Sequence, residues 1–321
     1  MRLFARLTPL LILLCGCSAA MAEGVTPFGE VLVWHVSEEV SSVWSSTVTN
    51  GGSPSTFSAD NVQFDWDAGF RIGLAHKFDE QSWGTKVYWT NIGSTGNGEI
   101  PSGNHAIVPE FFSGFVGGDA GVFDSAAINW NFTFNNIDFE IGRAINIGNS
   151  MSICPFMGLK AAIIDQKIQA NWANREIEAL EVTATEYVDH SFHGLGPSFG
   201  VDGRWRVSRC GNLSIVGSFS FAILWGTWNV TDTYERTDDA FPALTYGAFT
   251  TSMNDSSLGS LSLNYFLGLE WIHEGEVTIV ARIGYELQWW ANQQRLPTFQ
   301  QLPMHGDLAL QGVTCGITVG F

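Results

Sequence analysis

The side chains able to do acid–base, metal or nucleophilic chemistry are scattered along this chain. The seven histidines are His35, His76, His105, His190, His193, His273 and His305. Asp189-His190 is a sequential dyad, but neighbours on a strand face opposite ways. His190-x-x-His193 has no third ligand at metal spacing, and Asp238-Asp239 reads most simply as a turn. A protease or lipase site needs paired carboxylates or a Ser/His pair held together. An enzyme is therefore the minor alternative; no catalytic residue is assigned, and no metal or cofactor is implied.

What the sequence does offer is charge on the polar side of alternating segments. The candidates are Asp65, Asp67, Arg71, Lys77, Asn129, Asn131, Asp138, Glu140, Lys160, Asp202, Arg204, Glu270, Arg282 and Glu286. Facing repeats every two residues in a strand, so Arg71 shares a row with Asp65 and Asp67, and Arg282 with Glu286. Both signs occur. Such a wall either lines a conducting lumen or pairs internally and plugs a small barrel. A second set lies in polar connections: Glu176, Glu178, Glu181, Glu186 and Asp189, then Asp232, Glu235, Asp238 and Asp239. Read as outer loops, these acids either concentrate cations at a mouth or are simply a solvated, variable surface.

These residues are positioned by strands. In Phe64–Phe78, Phe64, Trp66, Ala68, Phe70, Ile72, Leu74 and Phe78 share one parity, a period of two. Trp83–Trp89 alternates likewise, as do Leu195–Val207, Leu213–Trp225, Leu261–Trp271 and Val277–Trp289. The stretch Gly312–Phe321 alternates Val313, Cys315, Ile317, Val319 and Phe321 with Gly and Thr. In Ala126–Ile141 the apolar phase shifts at Asn135-Asn136, which is read as a β-bulge in one strand or as a hairpin turn. Connections near 79–82, 148–152, 208–212 and 274–276 are short. Those near 49–61, 95–122, 169–190, 231–257 and 291–304 are long and polar. Alternating short and long connections predict an all-β, transmembrane, up-and-down antiparallel barrel of about ten strands; if Asn135-Asn136 is a turn, a further strand near His105–Phe115 restores parity and gives about twelve. Trp or Tyr at many strand ends favours membrane girdles over a soluble sandwich.

The opening residues fit this. Arg2 and Arg6, the run Leu7–Leu14 and Ala20-Met21-Ala22 have the order of a signal peptide, giving residues 1–22 as signal and 23–321 as one barrel domain. Leu14-Cys15-Gly16-Cys17 is a competing lipoprotein-type site. With 32 acidic against 15 basic residues, nucleic acid is excluded as a natural partner. Charged residues are only 15% of the chain, and no later stretch is apolar enough for a membrane helix. Cys154 and Cys210 fall near two periplasmic turns and are either a disulfide in an oxidising compartment or two free thiols.

The stretches "FGEVLVWHVSEEVSSVWSS", "FDWDAGFRIGLAHKFDEQSWGTKVYWTN", "NNIDFEIGR", "CPFMGLKAAIIDQ" and "GLGPSFGVDGRW" together resemble the pore-forming outer-membrane proteins typified by the Legionella major outer membrane protein, and related proteins of environmental chlamydiae. The resemblance runs from about Phe28 to Phe321. It implies an outer-membrane pore and carries no catalytic residue. Unlike the cysteine-rich chlamydial proteins, this chain retains only Cys154, Cys210 and Cys315 beyond its signal. The expected function is passive diffusion of ions or small hydrophilic solutes, with a plugged structural or adhesive barrel as the alternative. The expected partners are lipid, lipopolysaccharide at an acidic and aromatic outer rim, and the barrel-assembly machinery, for which Phe321 resembles the terminal signal.

Overall fold

The computed structural model describes residues 24–38, 43–49, 56–78, 83–103, 105–109, 123–174, 182–208, 212–238, 246–296 and 304–320. The signal segment, the choice between Ala22 and Cys17, Glu176, Glu178, Glu181, Cys210, Asp239 and Phe321 lie outside the described residues. Ten strands form a ring: β1 (Val25–Glu38), β5 (Trp66–Lys77), β6 (Trp83–Ile100), β8 (Ser125–Arg143), β10 (Met151–Ala173), β11 (Val182–Arg206), β12 (Leu213–Asp238), β13 (Tyr246–His273), β14 (Thr278–Leu296) and β15 (Met304–Gly320). Each is antiparallel to the next. β15 closes on β1, in register from Thr318↔Phe28 to Leu308↔Glu38. Closure gives each of these ten strands a partner on both sides, so the ring has no edge strand.

The remaining strands are accessories. β4 (Gln63–Phe64) and β9 (Ile145–Ile147) extend the wall. β2 (Val43–Thr49), β3 (Thr56–Asn61) and β7 (Ala106–Pro109) make a separate three-stranded sheet at the outer end. Its Trp44 and Ile107 pack into the same apolar cluster as Phe123, Ile128 and Ile100 of the barrel. The further strand that the twelve-strand alternative required near His105–Phe115 exists in part, as β7, but it belongs to this separate sheet and not to the ring, which has ten.

Two different environments act along one wall. On the outside, a band of exposed apolar side chains runs through Val87, Ile137, Phe139, Leu159, Phe219, Leu267 and Ile283. Exposed tryptophans flank it, Trp83, Trp205 and Trp271 near the short turns and Trp66, Trp89 and Trp225 at the other side, as interfacial girdles should. Inside this band the lumen is polar. Beyond it the arrangement inverts: the outer surface carries Asn and Thr, and the interior packs Trp34, Trp130, Trp172, Trp228, Phe132, Phe134 and Phe192, all buried.

This inversion corrects the sequence reading at Asn135-Asn136. β8 runs through both residues in unbroken register with β6 and β10. There is neither bulge nor turn. Phe132, Phe134, Asn136, Asp138 and Glu140 all point inward; Asn131, Thr133, Ile137 and Phe139 all point outward. The apolar phase moves because the solvent outside changes from water to lipid while the facing stays fixed. The long polar "loops" were misread for the same reason: 182–190, 231–238 and 246–257 are strand. A tilted span needs only about nine to eleven residues, whereas β11, β12 and β13 have 25, 26 and 28.

Real irregularities occur elsewhere. The β4/β5 ladder with β6 slips by one residue between Phe64↔Gly96 and Phe70↔Asn91, leaving Asp65 and Trp66 both exposed. On β14 the register shifts between Trp290 and Gln294, and Asn292 takes φ 51°, which Asn tolerates better than most residues. Its amide donates to Asp307 at 2.8 Å. The bulge turns Gln293, Gln294 and Arg295 all inward.

Candidate functional site: a charged lumen under an aromatic layer

Within the lipid band, charged side chains from eight strands meet in the lumen. Arg71 of β5 is central. Its Nη1 lies 2.7 Å from Glu30 of β1, its Nη2 2.7 Å from Glu286 of β14, and its Nε donates to Thr90 at 2.8 Å. Arg282 of β14 reaches the other oxygen of Glu30. Between β1 and β14 lies β15, so these pairs must cross it. Gly316 makes that crossing possible: a Cβ there would stand 3.0 Å from Glu30 Cγ and 3.2 Å from Arg282 Cγ. The neighbouring Thr314 donates to Glu286 at 3.0 Å and accepts from the Trp34 indole at 3.2 Å.

A second knot lies on the opposite wall. Lys160 of β10 pairs with Asp138 of β8 at 2.7 Å, both buried. Lys86 of β6 bridges Asp202 of β11 at 2.7 Å and Glu140 at 3.6 Å, and Tyr88 donates to Glu140 at 2.7 Å. Arg204 holds Glu270 at 2.8 Å. Towards the periplasmic end Lys86, Arg204 and Arg282 keep 34–45% of their side chains exposed, and a cavity of about 190 Å³ opens beside Lys86, Glu140, Cys154 and Asp202.

Above this belt buried rings pack the interior. Lys160 Nζ sits 5.9 Å from the Trp290 ring centroid, and Trp290 meets Phe134 edge-on at 5.6 Å. Higher still, Trp228 donates to the Gln293 carbonyl at 3.0 Å and stacks under Arg295 at 3.5 Å. Trp130 donates to Gln166, which donates to Glu38.

The sequence-derived candidates divide as follows. Arg71, Asp138, Glu140, Lys160, Asp202, Arg204, Glu270, Arg282 and Glu286 belong to the belt. Asp67 faces inward higher up, accepting from Ser94 at 2.6 Å; Lys77 is exposed at the periplasmic end. Asp65 is exposed at the strand slip, and neither it nor Asp67 pairs with Arg71, whose partners lie on other strands. Nor does Arg282 pair with Glu286 in its own row; it pairs with Glu30. Asn129 and Asn131 are corrected outright: they are exposed on the outer wall above the lipid band. Cys154 is a free thiol facing Asp202 across the ladder. Missed were Glu30, Lys86, Tyr88 and Thr314. Glu30 had a signal: it is the one charged residue in the inward row Phe28, Glu30, Leu32, Trp34, Val36.

Of the acids assigned to outer loops, Asp189, paired with Lys167 at 3.7 Å, and Glu235 are exposed but stand on strands, and Asp238 ends β12. Glu186 and Asp232 point into the barrel above the belt and are buried. Glu186 Oε1 and Oε2 and Asp232 Oδ1 meet no donor among the described residues. Burial, and then repulsion from Asp232, hold the Glu186 carboxyl well above the carboxylate range; burial pushes Asp232 up to about 7. Nearby on β11, burial lowers His190 to about 4.

Gly196-Pro197-Ser198-Phe199-Gly200 has the spacing of a hydrolase nucleophile motif, which requires a strand-to-helix turn. Here it runs straight through β11, and the buried Ser198 hydroxyl has no partner among the described residues. No group of three or more metal-ligating side chains occurs among them either.

Among solved structures, the chain resembles the outer membrane protease OmpT of Escherichia coli at 10% identity, covering 94% of this chain and 99% of that one with a TM-score of 0.45. A Pseudomonas aeruginosa FadL homologue aligns at 7% identity, 92% and 89% coverage and a TM-score of 0.26. The Pseudomonas putida toluene transporter TodX gives 7%, 94% and 89%, and 0.28. No curated protein sequence matches. The model of the family described as the Legionella pneumophila major outer membrane protein precursor matches residues 28–321. Closed ring, girdled apolar band and family match agree, and the chain belongs to the Legionella major outer membrane protein family, a β-barrel of the outer membrane.

Proposed function

We propose that this barrel is an ion-scale pore held closed by its aromatic layer. The observation that carries this reading is the contrast between the two halves of the lumen. The outer half shows that this chain can fill a barrel with Trp and Phe. The membrane half instead keeps a belt of both signs, centred on Arg71, Glu30 and Glu286. Buried ion pairs are no more stabilising than well-packed apolar residues of similar volume, and ionisable groups inside a membrane protein commonly mark ion paths. Half-exposed Lys86, Arg204 and Arg282 supply the periplasmic entrance. The rings of Trp290, Trp34 and Trp228 supply the barrier.

The second reading, a stoppered surface barrel without conduction, draws on that same layer, because all three rings are fully buried. Planar-bilayer recording on the refolded chain separates the two. The pore reading predicts small, infrequent steps in the wild type that become larger and more frequent in Trp290→Ala. Silent wild-type membranes with verified insertion contradict it and favour the stopper.

A further inference from the structure

The outer wall above the lipid band is unusual for a surface facing bulk water. A well-solvated surface is designed with about 25–35% charged residues. Here the outward residues of β8 from Ala127 to Asn135 and of β12 from Thr227 to Thr233 carry no charge at all. They are Asn and Thr joined in rows across strands. Thr95 donates to Asn131 at 3.2 Å, Asn131 to Asn129 at 2.7 Å, and Asn129 to Asn97 at 2.9 Å. Thr185 donates to Asn171 at 3.1 Å, and Asn254 to Asn229 at 2.5 Å. Charge on this face is sparse among the described residues: Lys167 pairs with Asp189, and the carboxylates of Asp165 beside Thr133, Glu99 beside Ala127 and Glu235 beyond Thr233 are spaced among the neutral rows. Tyr187 lies among these rows, half exposed, and receives a hydrogen bond from Gln169.

The rows crosslink the wall, yet each amide and hydroxyl keeps unused hydrogen-bonding capacity directed outward. Flat arrays of amides and hydroxyls with an amphipathic aromatic ring match sugar hydroxyls and sugar faces. The position of the array selects the sugar. It begins directly where the lipid band ends, at Ile137 on β8 and Trp225 on β12, and rises about 25 Å along the strand at roughly 3.3 Å per residue. Saccharide attached to outer-leaflet lipid must occupy that height beside the wall.

We propose that this Asn/Thr-rich wall binds the core oligosaccharide of the outer-leaflet glycolipid. The contact is therefore with the barrel's flank, continuous with its lipid interface, and not with an acidic rim. It does not depend on whether the barrel conducts.

The test uses the full refolded chain and three probes: lipopolysaccharide with a complete core, a deep-rough form trimmed to its innermost sugars, and lipid A. Binding is read by the thermal shift of the folded band on unheated gels. The complete core should raise the unfolding temperature at lower concentration than either trimmed form. A triple variant Asn129→Ala, Asn131→Ala, Asn229→Ala should lose about tenfold in affinity for the complete core, as expected for the loss of a few hydrogen bonds, while binding lipid A unchanged. Its own unfolding temperature without glycolipid reports whether it folds; if it does not, Thr231→Ala with Tyr187→Ala, remote from the Asn97–Asn131 row, carries the same expectation. Equal binding of all three glycolipids overturns the proposal, as does an unaltered affinity in a folded variant. So does glycolipid-independent dimerisation through this face, shown by a doubled mass that the triple variant abolishes.

Discussion

At the residue scale, the barrel interior has two kinds of ionisable group. Those of the belt are matched: Arg71 has two carboxylates and Glu30 has two arginines. Glu186 and Asp232 instead lie together with no cation paired to them among the described residues, and their shared proton is the natural substitute. The consequence for stability has a definite sign. A carboxyl held above its ordinary value stabilises the fold while protonated, and that contribution is lost as pH rises. For Asp232 it is fully present below 3.8 and lost through about 7, with Glu186 continuing the loss above. His190 acts oppositely: its contribution is present above 6.5 and lost as pH falls towards about 4. The two effects oppose each other in mild acid, so the alkaline limb is diagnostic. Urea unfolding in micelles, followed by tryptophan fluorescence, should show stability still falling above about pH 6.5, and Asp232→Asn should lessen that fall, because it removes the repulsion that holds the Glu186 carboxyl up. An identical alkaline slope in the variant would refute the pairing. Little of this was legible beforehand. Glu186 and Asp232 look like loop acids because their neighbours Thr185, Tyr187, Thr231 and Thr233 are polar, and only the ladder shows that those neighbours face water while the acids face inward.

At the element scale, the strands were legible where lipid touches them. Leu213–Trp225 and Leu261–Trp271 alternate cleanly because one face must be apolar and the other lines a polar lumen. The same strands became illegible a few residues further on, where the apolar face moves inside and Asn and Thr move outside. β12 shows both regimes in one strand. Phe219 lies mid-band on its outer face and Thr231 lies on the same face beyond Trp225. Phe219→Arg should destabilise the folded barrel by roughly 2–4 kcal/mol, the cost of a cation at the bilayer midplane, whereas Thr231→Arg should change it by roughly 0–1 kcal/mol. Equilibrium unfolding in lipid vesicles measures both. Equal costs at the two positions would mean that the lipid band is misplaced.

At the scale of the whole molecule, the chain is one wall that separates three environments: lipid outside the lower half, water outside the upper half, and a lumen that changes from charged to aromatic where the outer solvent changes. The ring of ten, the closing contact of β15 with β1 and the family were all readable from alternation, turn lengths and quoted stretches. The inversion was not, because a shift of apolar phase in a sequence has two causes, a slipped residue or a changed solvent, and only the register of β8 against β6 and β10 distinguishes them. Single cysteines on β8, in a chain whose own cysteines are replaced by serine, test this most directly, with an environment-sensitive fluorophore for lipid contact and a membrane-impermeant maleimide for water. Asn131→Cys should react rapidly with the maleimide, Phe132→Cys should be protected from it and from lipid quenchers, and Phe139→Cys should be quenched by brominated lipid. A reactive Phe132→Cys beside a protected Asn131→Cys would contradict the inverted barrel.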